Sequence, residues 1–264
     1  MNTQRSEFSS LMPFRLDDQI VLITGASSGI GAALARGFAA AGASVVLAAR
    51  RLDRLEAIAT EIRASGARAL PLALDASDPK SFSALFDRVE QEWGLINVLI
   101  NNAGLARPAR FLKTSDRDFA ETMRLNFEAP WFLSQEFAAR LIAAKRSGCI
   151  LNIASVLALG SGPGYAAYSS SKGALVQLTR SLALEFTRAG IRVNALAPGW
   201  FVTEMNEHWF ATPEGQTYLQ STPAGRAGQL EELIGPALLL CSKAGSFLNG
   251  VILPVDGGHH VALK

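Results

Sequence analysis

Tyr168 and Lys172 stand four residues apart in the run Tyr168-Ser169-Ser170-Ser171-Lys172, which sets a phenol and an ammonium one turn apart on a common helix face. The chemistry open to such a pair is proton transfer. A free tyrosine titrates at about 10, so exchanging a proton near neutrality requires a shift of about three units, or about 4 kcal/mol of differential stabilisation. One adjacent cation typically supplies about one to three of those units. Many amphipathic helices carry a Tyr and a Lys at this spacing on their surface, so the remainder of the chain has to establish the function.

A second cluster lies near the N-terminus. Ile20 to Thr24 is a short apolar run, followed at once by Gly25-Ala26-Ser27-Ser28-Gly29-Ile30-Gly31. Glycines placed between a strand and a helix allow a sharp turn, a close approach of bare N–H groups to a pyrophosphate, and tight helix packing. Gly25, Gly29 and Gly31 are suited to these three tasks, although their spacing is not the commoner G-x-G-x-x-G. About twenty residues on, where an acidic side chain would bind the ribose 2′-hydroxyl of NAD, the sequence reads Ala49-Arg50-Arg51. A guanidinium at Arg50 can hold a 2′-phosphate in forked bonds, which favours NADP(H) and leaves NAD(H) open as a second cofactor.

The elements that must position these groups alternate regularly. Strands are predicted at Ile20 to Thr24, Ser44 to Ala49, Ala69 to Asp75, Ile96 to Asn101, Cys149 to Ala154, Arg192 to Ala197 and Val251 to Val255. Helices are expected from the glycine turn to Ala41, then over Leu52 to Ser65, Asp78 to Trp93, Ser115 to about Lys145 with a kink at Pro130, Tyr165 to Thr187, and Leu230 to Ser242. Such alternation predicts a parallel sheet with crossover helices. Residues 200–226 are expected to form an irregular lid. Residues 1–16 are expected to form a loose tail, and 17–264 a single domain.

Composition narrows the classes. With 49% hydrophobic and 18% charged residues over 264 positions, the chain has enough apolar content for a large core and is not disordered. A formal charge of +2, scattered along the sequence, does not make a nucleic-acid or membrane footprint, so small-molecule partners are expected. Cys149 and Cys241 sit in apolar contexts and read as reduced core residues, while His208, His259 and His260 have no ligand spacing, so no metal is expected. No run long enough for a signal peptide or a bilayer span is visible, which makes the cytoplasm the expected location.

Taken together, Thr24 to Gly31 (TGASSGIG), Asn101-Asn102-Ala103-Gly104, Ser155, the Tyr168 to Lys172 pattern and Pro198-Gly199 closely resemble, in this order, the short-chain dehydrogenase/reductase family, and 3-oxoacyl-carrier-protein reductase-like carbonyl reductases within it. The resemblance implies an α/β, Rossmann-like three-layer fold with a doubly wound seven-stranded parallel sheet, and nicotinamide-dependent oxidoreduction between an alcohol and a carbonyl. It implies Tyr168 as acid/base, Lys172 as the residue that lowers its pKa and grips the nicotinamide ribose, Ser155 as the hydroxyl on the substrate oxygen, and Asn126 as holder of a water that links Lys172 to solvent. The implied cofactor contacts are Gly25, Ser27, Ser28, Gly29, Ile30, Gly31, Arg50, Asp75, Ala76, Asn102, Ala103, Gly104, Tyr168, Lys172, Pro198, Gly199, Phe201 and Thr203, with Asn101 as a structural asparagine. Ser28 departs from the basic residue that many NADP-preferring members carry at that position. Physics agrees with the roles: hydride addition to a ketone leaves negative charge on oxygen, which calls for aimed donors and a proton, and Ser155 and Tyr168 can supply them.

For the substrate, the lid carries Trp200, Phe201, Met205, Trp209 and Phe210, which together with Leu157, Leu159 and Tyr165 suggest an apolar pocket. Leu157, Tyr165, Met205 and Trp209 are the expected substrate contacts. The favoured reading is therefore reduction of a ketone with a hydrophobic side, such as a β-keto ester, 3-oxoacyl thioester or aryl ketone. The alternatives are a polyol or sugar-acid dehydrogenase of the gluconate dehydrogenase kind and, from another class, a non-catalytic nucleotide-binding sensor. Arg107, Arg110, Lys113 and Arg117 either meet an anionic tail or are neutralised by Asp116, Asp118 and Glu121. The family further implies a homotetramer.

Overall fold

The chain folds around one twisted parallel sheet. A computed structural model describes residues 12–204 and 206–262. The strands are β1 (Ile20–Thr24), β2 (Ser44–Ala49), β3 (Ala69–Ala73), β4 (Val98–Asn101), β5 (Gly148–Ile153), β6 (Ile191–Pro198) and β7 (Ile252–Val255). They pair in the order β3-β2-β1-β4-β5-β6-β7, every neighbour parallel. Val, Ile, Leu and Ala dominate the strands because both faces of the sheet are covered. Val21, Ile23, Val45, Leu47 and Ile100 pack with α1 (Gly29–Ala40), α2 (Leu52–Ala64) and α9 (Ile234–Cys241). The alternate residues Leu22, Val46, Leu99 and Ile150 pack with α3 (Phe82–Glu92), α5 (Ala129–Ala143) and α6 (Ala166–Phe186). A buried Leu or Phe contributes roughly 1.5–3 kcal/mol relative to exposure, so these two cores hold the three layers together.

Local chemistry sets the element ends. Gly42, with φ of +101°, follows α1 in the left-handed region that favours glycine. Ser115 Oγ accepts from the Asp118 N–H at 3.1 Å and opens α4 (Asp116–Met123). The kink expected at Pro130 takes a specific form. A π-helical turn at Arg124–Glu128 joins α4 to α5, with the Ala129 N–H donating to the Arg124 carbonyl. The wider turn relieves the clash that a proline ring would make with the carbonyl four residues earlier, that of Asn126.

Two expectations are corrected. The loose tail ends before Leu16: Met12–Phe14 is a short 3-10 turn, and Leu16 is buried with its N–H on the Ala41 carbonyl at 2.9 Å, while residues 1–11 lie outside the described residues. The lid is not irregular throughout, for it contains α7 (Glu207–Phe210) and α8 (Pro213–Ser221). Thr212 and Pro213 look like breakers but act as cap and first helical residue, Thr212 Oγ1 accepting from the Gly215 N–H at 3.1 Å. Among the described residues no helix is long and apolar enough to cross a membrane.

Each outermost strand contains a proline, Pro71 in β3 and Pro254 in β7. On β7 the carbonyls of Val251 and Val255 accept from β6, so the odd positions face the neighbour and Pro254 points its nitrogen outward. On β3 the N–H of Val45 meets the Arg68 carbonyl and the N–H of Leu74 meets the Ala49 carbonyl, which turns Pro71 outward likewise.

At the C-terminal edge Thr24 ties β1 to β4. Its buried Oγ1 accepts from the backbone N–H groups of Asn102 and Ala103, both at 3.0 Å, and donates to the Ile100 carbonyl at 3.3 Å. Thr24→Val keeps the volume and removes that acceptor. It is expected to destabilise the protein by about 1–3 kcal/mol, read as a lower urea midpoint at unchanged m-value; an unchanged midpoint would show that the two N–H groups find other partners.

Candidate active site

The strand order reverses between β1 and β4, and in open α/β sheets ligands bind at that crevice, outside the carboxyl ends of the strands. A cavity of about 1020 Å³ opens there, bordered by the ends of β1, β2, β4, β5 and β6. Gly25 turns the chain with φ of +67°, and a Cβ on it would lie 2.8 Å from the Ala103 Cα. Gly31 does not line the cavity. A Cβ there would lie 2.4 Å from the Gly25 carbonyl oxygen, so its bare Cα lets α1 seat against the turn. Ser28 precedes α1 without a side-chain capping bond, which leaves helix N–H groups aimed into the cavity mouth. Asn102 Nδ2 fixes the turn from the other side, donating to the carbonyls of Thr24 at 2.8 Å and Gly25 at 3.2 Å.

The rest of the expected cofactor wall is assembled in one place. Ser27, Ser28, Gly29, Ile30, Arg50, Asp75, Ala76, Asn102, Ala103, Gly104, Pro198, Gly199, Phe201 and Thr203 all border the cavity. Asp75 Oδ1 accepts from the Ser77 hydroxyl at 2.7 Å and N–H at 2.9 Å, which holds its carboxyl below the usual range, with the nearby Arg50 charge adding to the effect. Bare backbone at the glycine turn, an open helix N-terminus, serine hydroxyls and arginines make this wall fit a dinucleotide. Asn101 stays behind it, buried, donating to Asn152 Oδ1 at 2.8 Å and Ser134 Oγ at 3.2 Å, in keeping with a structural part.

Tyr168 and Lys172 lie one turn apart on α6, as their spacing predicts, with the Lys172 Nζ 5.9 Å from the Tyr168 ring centroid. Lys172 is buried and its Nζ donates to the Ile153 carbonyl at 2.8 Å. Burial pushes its pKa down to about 8. Tyr168 does not show the lowered pKa that the sequence leads one to expect. Burial raises it, and the opposing pull comes from the Ser155 hydroxyl. Ser155, at the end of β5, accepts the Leu157 N–H at 3.1 Å. Asn126 sits in the π turn, fully buried and behind the cavity wall. Its Oδ1 accepts from the Leu105 N–H and its Nδ2 donates to the Leu105 carbonyl, both at 2.9 Å, and to Ser171 Oγ at 3.0 Å. Its amide is thus engaged in holding the 105 loop against α6.

The substrate end differs from expectation. Leu157 and Tyr165 border the cavity, Tyr165 edge-on to Tyr168 and to Trp200 at centroid distances of 6.4 and 6.3 Å. Trp209 does not; it packs on Phe210, Tyr218 and Trp200 at 4.9, 5.5 and 6.3 Å. Phe210 is buried in the same lid cluster, Leu159 is exposed outside the cavity, and Met205 lies outside the described residues. Trp200 and Phe201 border the cavity, while Trp209 and Phe210 are satisfied within the lid. Arg107, Arg117, Glu121, Arg124 and Asn206 supply polar wall instead. The bland reading of the arginines is realised in part, with Arg107 paired to Asp118 at 3.3 Å and to Glu121, and Arg117 to Glu121 at 2.8 Å. His259 packs on Tyr218 and His260 bonds to Asp256 at 2.7 Å, so the pair is anchored and not simply solvated. Sequence reasoning gave no role to Asn206, Arg124 or Glu204. Arg51 was visible next to Arg50, but its partners across the fold were not.

A doubly wound sheet with a dinucleotide cradle beside a Ser-Tyr-Lys set, its serine and lysine buried, defines a Rossmann-type oxidoreductase. A family model described as enoyl-(acyl carrier protein) reductase matches residues 25–260. Gluconate 5-dehydrogenase of Gluconobacter oxydans (strain 621H) is 41% identical over 95% of this chain and 98% of its own length. The L-tagatose-forming galactitol 2-dehydrogenase of Cereibacter sphaeroides is 39% identical over 94% and 97%. The crystal structure of a gluconate 5-dehydrogenase from Burkholderia cenocepacia J2315, in complex with NADP and tartrate, superposes with a TM-score of 0.91 at 38% identity, covering 96% of this chain and 99% of that one. The chain belongs to the short-chain dehydrogenase/reductase family. It is an NAD(P)-dependent oxidoreductase acting on CH–OH and C=O groups.

The depressed Lys172 pKa carries a sign. Below about pH 8 the folded protein holds a buried charge that the unfolded chain keeps in water. Above it the folded lysine is neutral while the unfolded one stays protonated up to about 10.4. Lys172 therefore costs stability most at low pH, and the cost fades as pH rises from 8. Lys172→Met is expected to raise Tm at pH 7 relative to its effect at pH 10, measured by thermal melts; a pH-independent difference would overturn this reading.

Proposed function

We propose that the protein is a dehydrogenase of a polyol or sugar acid that interconverts a secondary alcohol and a ketone with NADP(H) favoured. The observation that carries it is the character of the substrate wall. Trp209 and Phe210 of the lid pack on one another and on Tyr218, and the cavity that Ser155 and Tyr168 border is also lined by Arg107, Arg117, Glu121, Arg124 and Asn206 beside the apolar Leu157 and Trp200. A polyhydroxylated substrate needs several such partners, whereas a hydrophobic ketone does not. The relatives support the same choice, since gluconate and galactitol appear in their names. The ketone with a hydrophobic side, favoured on sequence alone, gives way accordingly. The NADP in the Burkholderia neighbour supports the cofactor assignment, as do Arg50 and Arg51 at the end of β2.

In this reading Tyr168 exchanges the proton at the substrate oxygen and Ser155 holds that oxygen. The Tyr168 phenol, its pKa raised by desolvation, is protonated at neutral pH and ready to donate in the reducing direction. In the oxidising direction it must release that proton, which a protonated Lys172 favours by Coulomb attraction. Asn126 keeps the 105 loop in place against α6. When bound, the nicotinamide supplies or accepts the hydride. A sensor that had lost its chemistry would have no use for a buried lysine beside a tyrosine that borders the cavity.

Tyr168→Phe is expected to leave NADPH binding within about twofold by fluorescence titration and to lower kcat by at least about 10²; retention of a tenth of the activity would remove Tyr168 from its role. In a panel of gluconate, galactitol, aryl ketones and 3-oxoacyl thioesters with both cofactors, the polyhydroxylated substrates should give the highest kcat/KM. A preference for aryl or acyl ketones would overturn the substrate assignment.

A homotetramer belongs to the same proposal. It is supported by Trp131, Phe132 and Ile142 on α5, Leu184 on α6 and Phe247 before β7, all apolar and exposed on the chain. Light scattering at micromolar concentration should return four times 28.1 kDa, and a monomer mass would dismiss it.

A further inference from the structure

The lid reaches back to the cofactor half of the cavity through one side chain. Glu204, next to Thr203, sets one carboxylate oxygen 3.2 Å from Arg51 Nη1 and the other on Arg54 Nη1. Arg51 Nη2 donates to Ser28 Oγ at 2.8 Å and to Ser27 Oγ at 3.0 Å. One guanidinium thus joins the glycine turn to the lid across a gap of about 150 positions in sequence. Each serine accepts from Arg51 and keeps its own O–H free to donate. A guanidinium fork with two hydroxyl donors beside it is the donor set that a phosphate takes up, and the anion now meeting the fork is Glu204. The pair of arginines holds the Glu204 carboxyl below its usual range. The carboxylate is half exposed, so it holds Arg51 only weakly against a competing anion.

We propose that Glu204 is an internal stand-in anion, which a cofactor 2′-phosphate displaces from the Arg51 guanidinium that lies beside Ser27 and Ser28. The proposal rests on the dinucleotide reading above and adds to it a specificity-determining residue on the lid. A dinucleotide with a 2′-hydroxyl leaves the Glu204–Arg51 pair intact. One with a 2′-phosphate breaks it, and Arg54 retains the released carboxylate on α2. Glu204 therefore lowers the preference for the phosphorylated cofactor, and the charge at position 204 tunes the NADP-to-NAD ratio without touching the glycine turn.

Calorimetric titration of the full chain with adenosine 2′,5′-bisphosphate and with 5′-AMP tests this without any turnover. Glu204→Gln keeps the size and removes the charge. It should tighten the bisphosphate by roughly fivefold, the scale of one exposed ion pair, and leave 5′-AMP within about twofold. In an Arg51→Ala background the same substitution should give no gain, because the residue contested by the two anions is gone. An equal change for both ligands, no gain for the bisphosphate, or a gain that persists without Arg51 would overturn the proposal. A wild-type chain that binds 5′-AMP while Glu204→Gln gives no gain sinks the stand-in alone. A chain that binds neither probe sinks the dinucleotide reading and the stand-in together.

Discussion

The constraint on which the site depends is the absence of a side chain at Gly31, where a Cβ would meet the Gly25 carbonyl oxygen and the Asn102 amide. Because nothing intervenes, α1 can lie against the turn that leaves β1, and Asn102 can bridge that turn from the end of β4. Thr24 completes the junction with one oxygen serving two N–H groups. The ends of β1 and β4 and the start of α1 are thereby locked at the point where the sheet changes direction. The crevice is consequently rigid on its phosphate side. Its other side is the lid, where Thr203 lies against Gly29 and Glu204 pairs with Arg51 and Arg54.

Behind that junction the site holds two groups that burial drives in opposite directions. Lys172 is pushed down to about 8 and Tyr168 upward, so at pH 7 the unliganded site sets a charged lysine beside a neutral phenol. Proton release from the phenol at pH 7 leans on that lysine charge, and proton donation on the oxyanion that develops on the substrate. The pair is therefore poised by its surroundings, and its reactivity depends on what enters the cavity. The Ile153 carbonyl fixes where the lysine waits in the meantime.

Much of this was legible from sequence because the signals are local. Strand β2 and strand β1 begin and end where their apolar runs do, and Ser115 caps α4 as its pattern suggests. The glycine turn, Ser155, Tyr168 and Lys172 meet because each is fixed to the end of a strand or the face of a helix. What was not legible depends on distance or on local compensation. Pro213 reads as a breaker unless Thr212 is seen to cap the helix it begins. Pro130 implies a kink, and only the structure shows the π turn that absorbs it. Trp209 and Phe210 count as pocket walls by composition, yet they pack on each other and on the lid, a choice that sequence spacing does not record. The contact of Glu204 with Arg51 and Arg54 joins positions some 150 apart and has no sequence signature at all.

The two outward-facing prolines, Pro71 and Pro254, bear on how copies of this chain meet at high concentration. An open sheet edge is a template on which an extended segment from another molecule can zip up by backbone bonding, the first step toward fibrils. Each edge here lacks a donor at the centre of a strand of four or five residues, so the zipper would stall within a residue or two. Contact between copies is left to side-chain faces, where shape limits how many can join. The edges thus protect a sheet as apolar as this one from polymerising while it is being made.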